Sequence, residues 1–233
     1  MKFENTIKNI KEGIIEFFFP HCCAVCEKHL VGNEQFICDT CFHALPRVRM
    51  HRGVMSEVDD LFLGCRIVKH GVSYFKYSRY SKYSEIIKDI KYRNNPEMGT
   101  ALARIFAQEL LEVNYFDGID FIVPIPLHRK KQNERGYNQS WYIAKGVSEI
   151  SGLPIDEVVE AVKPHKTQTA KTADQRRNNV KGVFGINKNV TGKQVLLIDD
   201  VITTGATLME CCDELEKAGV SGVKILSLAL AER

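Results

Sequence analysis

Residues 195–207 read Val-Leu-Leu-Ile-Asp-Asp-Val-Ile-Thr-Thr-Gly-Ala-Thr: an apolar run ending in two adjacent acids, then a small, hydroxyl-rich turn. That order of residue types suits a sugar phosphate. Val195 to Ile198 has the unbroken hydrophobicity of a strand buried on both faces, and open α/β sheets bind ligands beyond the C-terminal ends of such strands. Chemistry is therefore expected at Asp199 to Thr207. Thr203, Thr204, Gly205, Ala206 and Thr207 place small side chains, hydroxyl donors and unpaired backbone N–H groups at a helix start, where hydrogen bonds and the helix dipole stabilise a phosphate dianion. Gly205 lets backbone and ligand approach closely. Asp199 and Asp200 repel a phosphate, so their partners are neutral hydroxyls or a cation. A ribose diol fits the acids and its 5-phosphate fits the turn. The competing reading is an ordinary strand, turn and capped helix, since Asp and Thr are common at helix starts.

Cysteine spacing supplies a second constellation. Cys23-Ala-Val-Cys26 and Cys38-Asp-Thr-Cys41 are two CxxC pairs separated by eleven residues, close enough for four thiolates to converge on one tetrahedral zinc. A segment this short has too little core to fold without a staple. Disulfides and a redox dithiol are the alternatives; the first needs an oxidising compartment, the second a thioredoxin-like helix. His21, Cys22 and His43 are substitutes for the fourth ligand position. Four protein ligands leave no open site, so the expected zinc is structural. Cys65, Cys211 and Cys212 read as small packing residues.

Charge is local rather than global. The 233-residue chain carries a net charge of only +3, from which no general affinity for polyanions follows. From Val162 to Lys181, however, six bases (Lys163, Lys166, Lys171, Arg176, Arg177, Lys181) face one acid, Asp174. From Leu127 to Asn138, Arg129, Lys130, Lys131 and Arg135 face Glu134 alone. Both stretches would attract a polyphosphate or a nucleic-acid backbone, or are simply solvated basic loops.

Periodicity places these groups on elements. Phe3, Ile7, Ile10, Ile14, Phe17 and Phe18 recur at helical spacing, so 1–20 is expected as an amphipathic helix, 21–46 as the zinc finger and 47–70, without a clear period, as a linker. The main domain is expected over 71–233. Within it, Val72 to Tyr77 suits an edge strand, and two helices around Ile86–Ile90 and Ala101–Leu111 are divided by Asn94-Asn95-Pro96. Phe121 to Pro126 is a short buried strand followed by a cation-loaded loop that turns at Gly136. A helix over Trp141–Ile150 stops near Gly152, and Gln194 to Asp199 is the next strand. Ala206 to Ala218 is an amphipathic helix stopped at Gly219, and Val223 to Ala229 is a last strand. Strand and helix alternating from Phe121 onward argue for a parallel sheet covered by helices on both faces. The hydrophobic content of 44% is ample for such a core. No run reaches the about eighteen apolar residues that span a bilayer, and the opening residues lack an export-cleavage pattern, so the expected address is cytoplasmic.

The acids and Thr-rich turn closely resemble the phosphoribosyl-pyrophosphate (PRPP) signature of type I phosphoribosyltransferases. By that resemblance the fold is α/β, a type I phosphoribosyltransferase-like parallel sheet flanked by helices with a small N-terminal zinc-binding module. Asp199 and Asp200 then hold the ribose 2- and 3-hydroxyls as the catalytic acids, and Thr203 to Thr207 hold the 5-phosphate. The loop after the Phe121 strand would contact pyrophosphate, with Arg129, Lys130 and Arg135 as first choices and Asn138 and Gln139 as neutral donors. Lys163 to Arg177, including Lys166, Gln168, Arg176 and Arg177, has the character of a lid. Magnesium would bridge the substrate phosphates, needing no dedicated protein cage.

The resemblance narrows further. The paired-cysteine knuckle, Ile90-Lys91-Tyr92, Pro126-Leu127-His128, Arg135-Gly136-Tyr137-Asn138-Gln139, then Gln168, Arg176, Arg177, Asn178, Asn179, Val180, Gly182 and Phe184, and the PRPP loop together look like the ComF/GntX competence family. That family is associated with uptake and handling of single-stranded DNA in natural transformation. The partners so implied are PRPP or ribose 5-phosphate, single-stranded DNA and proteins of the competence machinery. Cysteine pairs found after the first knuckle in some members are missing, so a second metal is not supported. Two readings follow: a PRPP-binding module that handles single-stranded DNA, or a Mg-dependent phosphoribosyltransferase for an unidentified base or amine. No residue set identifies an acceptor. Tyr74, Phe75, Tyr77, Tyr80, Tyr83 and Tyr92 cluster in sequence and serve either strand packing or base stacking.

Overall fold

The computed structural model describes residues 21–48, 56–127, 129–162 and 182–232. The expected helix over 1–20 and the Lys163–Arg177 stretch lie outside the described residues. Six strands are present among them: β1 (Val68–Tyr77), β2 (Phe121–Pro124), β3 (Val159–Ala161), β4 (Phe184–Ile186), β5 (Gln194–Ile202) and β6 (Gly222–Ala231). Four form a parallel sheet in the order β1-β6-β5-β2, so β5 is internal and β1 is an edge.

Side chains on alternate residues of a strand face opposite sides, and the two cores follow that period. Leu196 and Ile198 join Ile122, Leu226 and Leu228 in one cluster, while Val195 and Leu197 join Val123, Val223 and Ile225 in the other. The first layer is covered by α2 (Ser84–Tyr92), α3 (Pro96–Leu111) and α5 (Gln139–Ser151); the second is covered by α6 (Ala206–Lys217). Two shorter helices are α1 (Asp39–His43) and α4 (Arg129–Arg135). Each fully buried aliphatic side chain contributes about 1.5–3 kcal/mol, so helices covering both faces are the stable solution.

Local chemistry sets the helix ends. Pro96 opens α3, where its fixed φ and missing N–H are harmless. The Ser140 amide donates to Asn138 Oδ1 at 3.1 Å, capping α5, which ends at left-handed Gly152. Gly146 lets α5 lie against α3, because a Cβ there would collide with the Thr100 carbonyl oxygen.

Several elements differ from their sequence reading. The cationic stretch after β2 is not all loop: it contains α4, whose Arg, Lys and Gln residues are good helix formers but show no apolar period to reveal it. The β2 strand ends at Pro124 rather than Pro126, and β5 continues past the acids to Ile202. Strand–helix alternation is interrupted by β3 and β4, an antiparallel pair flanking residues 163–181. Three-residue strands are too short for a periodic signal.

Within 47–70, the described residues pack as well as connect. Lys76 N donates to Pro46 O at 2.7 Å and Val48 N to Tyr74 O at 3.2 Å, which covers part of the open edge of β1. Asp59–Phe62 is a 3-10 turn, and Val58, Leu61, Phe62 and Ile67 join the second core. On the other side, Val25, Ile37, Leu45, Cys23, Cys38 and Cys41 share the first core with α2 and α3.

Candidate functional site

The C-terminal end of β5 and the start of α6 open into a cleft of about 1140 Å³. Thr203, Thr204 and Thr207 line it, as do Asp199 and Asp200. Gly205, the N-cap of α6, is left-handed at φ 73°, and no side chain caps the helix there. A Cβ on Gly205 would come within 3.2 Å of the Phe62 ring, so the close approach this glycine permits is to the core beneath. Gly205 and Ala206 are not in the cleft lining. The helix N-terminus nonetheless concentrates positive dipole and free amides beside three threonines, an arrangement suited to phosphate.

The twin acids have the two kinds of partner that their charge requires. The Ser140 hydroxyl donates to Asp199 Oδ1 at 3.1 Å, and Lys91 Nζ lies 2.9 Å from Asp200 Oδ1. The Lys91 and Asp200 side chains retain only 19% and 9% of their exposure. Burial opposes the charge on Lys91, but the carboxylates of Asp200 and Asp199 outweigh it and raise its pKa. Asp199 keeps some solvent contact at the cleft wall, yet its carboxyl lies deep among protein atoms. Burial and the Asp200 carboxylate push it up from the ordinary 3.8 to about 7, against the pull of Lys91, the Asp200 amide and Ser140.

This shift sets a sign for stability. Between the two values the folded chain binds more protons than the unfolded one, so the Asp199 contribution is fully present below about pH 3.8 and lost as pH rises through about 7. Urea unfolding should show a decline in stability from about pH 4 to about pH 7 that is smaller in Asp199→Asn. An unchanged decline in that variant would overturn the assignment.

The second wall is cationic. Lys131 and Arg135 of α4 line the cleft beside Lys91. Burial, then Arg135 and Lys91, lowers the pKa of Lys131. Of the cations chosen from sequence, Arg135 therefore reaches the cleft, whereas Arg129 is exposed and outside its lining. The side chain of Lys130, and His128, Lys166, Gln168, Arg176 and Arg177, lie outside what is described. Asn138 is engaged structurally: besides capping α5, its Nδ2 donates to Ile125 O at 3.0 Å. Gln139 is 1% exposed and lines the cleft, and its Nε2 has no hydrogen-bond partner among the described residues. A buried donor left open in a ligand-sized cleft is one that a ligand acceptor can satisfy. Just before β4, Gly182 N donates to the buried Glu210 of α6.

Sequence reasoning did not select Lys91 or Ser140 as site residues, and named Lys131 within the basic stretch but not among the first choices for pyrophosphate. Lys91 had a signal in Ile90-Lys91-Tyr92, because Ile86, Ile87 and Ile90 face the core and Lys91 follows on the same helix. What it would meet depended on where α2 packs.

The four knuckle cysteines converge, with sulfur atoms all within 4.8 Å of one another. Cys26 Sγ and Cys38 Sγ are 3.7 Å apart; a tetrahedral site with zinc–sulfur bonds of about 2.3 Å needs about 3.8 Å. The amides of Val25 and Cys38 donate to Cys23 Sγ at 3.4 and 3.3 Å. Burial opposes ionisation of Cys23, and these amides overcome it to hold its thiol at about 7; burial pushes Cys41 up to about 12. Four thiols this close cannot all ionise without a cation, and the donor set fits zinc. His21, Cys22 and His43 are not in this cluster. Cys211 and Cys212 are fully buried in the second core and Cys65 packs against it.

With this geometry in view, relatives can be compared. Residues 139–233 match the phosphoribosyl transferase domain family. Together with the helix-covered parallel sheet and the cleft at its C-terminal edge, the match defines a phosphoribosyltransferase-like protein. The chain is 33% identical to competence protein F of Haemophilus influenzae over 153 residues, which are 63% of this chain and 67% of that one. It is 30% identical to DNA utilization protein YhgH of Escherichia coli over 147 residues, 61% of this chain and 65% of the relative. Competence protein ComFC of Bacillus subtilis is 29% identical over 132 residues, 57% of this chain and 52% of the relative. The chain belongs to the ComF/GntX competence family. Its alignments span between half and two thirds of these relatives' lengths. No helix among the described residues is long and apolar enough to cross a membrane.

Proposed function

We propose that this chain binds PRPP or ribose 5-phosphate in the β5–α6 cleft and acts in handling single-stranded DNA during natural transformation. The observation behind this reading is the juxtaposition of Asp199 and Asp200 with the threonine-lined N-terminus of α6 in a single cleft. The acids accept hydrogen bonds from the ribose diol, with Ser140 and Lys91 holding them in place. Thr203, Thr204 and Thr207 with the α6 amides receive the 5-phosphate, and Lys131, Arg135 and Gln139 face the 1-pyrophosphate. Asp199 and Asp200 would lie near a magnesium ion brought by the substrate phosphates, which would supply neutralisation of the pyrophosphate charge. Zinc is structural and held by Cys23, Cys26, Cys38 and Cys41. The DNA role draws on relatives named for competence and DNA utilization.

Calorimetry of the full, metal-loaded chain tests the reading. Ribose 5-phosphate and PRPP are each titrated with and without magnesium, and saturable binding is expected. Thr204→Val with Thr207→Val should weaken it at least about tenfold through two lost phosphate hydrogen bonds. No uptake of either ligand under any of these conditions would end the proposal.

A further inference from the structure

Most aromatic rings among the described residues are packed away, but two are not. Tyr80 is fully exposed and Tyr92 is 70% exposed; among the described residues they are the aromatics left open, and both line the cleft that contains the twin acids. Exposed apolar rings gathered at a polar cleft mark a binding surface more than a folding requirement. The two come from different elements: Tyr80 stands in the turn that leaves β1, and Tyr92 is the last residue of α2. The Arg135 guanidinium lies 5.1 Å from the Tyr92 ring centroid, an orientation in which a cation polarises an aromatic face.

Cations outnumber acids in the cleft lining around these rings: Arg79, Lys88, Lys91, Lys131 and Arg135 stand against Asp199, Asp200 and Glu232, with Lys91 paired to Asp200 at 2.9 Å and Lys88 to Glu85 at 2.6 Å. A free nucleobase is neutral and needs no such cations, whereas a strand presents a base and a phosphate at every step. Duplex DNA keeps its bases inside the stack, out of reach of exposed rings. We propose that Tyr80 and Tyr92, backed by Arg135, form a shelf on which a base of a single-stranded polynucleotide stacks, with its phosphates beside Arg79, Lys88 and Lys131. The shelf adjoins the pentose-phosphate seat and deepens the reading given above, resting on it for the identity of that neighbour.

The test is fluorescence anisotropy on the full chain with labelled oligothymidylate of about 20 nucleotides, an abasic strand of the same length and a duplex competitor. The base-bearing strand is expected to bind at least about tenfold more tightly than the abasic one. Tyr80→Ala and Tyr92→Ala should each lose roughly five- to a hundredfold, while Tyr92→Phe retains the affinity. Ribose 5-phosphate calorimetry on the same variants should be unchanged, which also shows that they fold. Equal affinity for abasic and base-bearing strands, equal affinity for duplex, or alanine variants that bind like the parent would each overturn the shelf. Base-dependent binding by a chain that takes up no ribose 5-phosphate would instead remove the pentose-phosphate reading and leave the shelf standing.

Discussion

Asp200→Asn is expected to destabilise the ligand-free chain by about 3 kcal/mol, even though it preserves the shape of the side chain. The reason is Lys91. Its ammonium sits 2.9 Å from Asp200, with most of both side chains withdrawn from water. Removing one member of a buried ion pair leaves the other desolvated and unpaired, a loss of about 3–5 kcal/mol, and the lower end applies because Asp199 remains nearby. Adding Lys91→Met removes the orphaned charge, so the double variant should recover much of the loss; that non-additivity distinguishes a charge effect from general damage. Urea unfolding of the four proteins measures it. An Asp200→Asn chain within about 0.5 kcal/mol of the parent would show that water reaches Lys91. The same substitution should abolish ribose 5-phosphate uptake, since the diol loses a charged acceptor.

Loss of the metal at the N-terminal knuckle is expected to have the other large effect. Elemental analysis of the purified chain should find one zinc, and Cys41→Ser should carry almost none. Structural zinc supplies folding free energy outright, and here the knuckle is not an isolated bead. The Tyr83 hydroxyl donates to the carbonyl oxygens of Ala44 at 2.7 Å and Cys41 at 3.3 Å, and Tyr83 is the residue immediately before α2. The other end of α2 presents Lys91 to Asp200 and Tyr92 to the cleft. A knuckle without its metal therefore loosens the end of a helix that positions the site. We expect Cys41→Ser to cost at least about 3 kcal/mol, or roughly 10 °C in Tm for a chain of this size, and to weaken ribose 5-phosphate binding although no cysteine of the knuckle lines the cleft. Zinc-free parent protein melting where the loaded protein melts would refute the staple. Tyr83→Phe, which keeps the ring and removes the two hydrogen bonds, separates the mechanical link from the metal. It should retain zinc and lose part of the ligand affinity.

Features written in contiguous residues were legible before any fold was known. The strand–acid–threonine segment is local: Val195 to Ile198 must be buried on both faces, so the residues after them must emerge at a sheet edge. The cysteine knuckle is local as well, because CxxC spacing and an eleven-residue gap suffice to bring four sulfur atoms together. Helices with an apolar stripe, such as Ile86–Ile90 and Ala101–Leu111, were legible for the same reason. The short strands β3 and β4 and the polar helix α4 were not, since neither gives a hydrophobic period long enough to recognise.

The rest of the site was decided in three dimensions. Asn138 looked like a ligand donor but is used to cap α5 and hold Ile125, because a helix start buried against the sheet must satisfy its own backbone first. Lys91 and Ser140 come from different helices and meet the acids only in the folded chain, where Lys131 of α4 lines the same cleft. The chain alone therefore determined which residues are chemically capable and where its sheet would open. Tertiary packing chose their partners, because one face of a helix is specified by its spacing, whereas the neighbour that face meets depends on how whole layers bury their apolar surfaces.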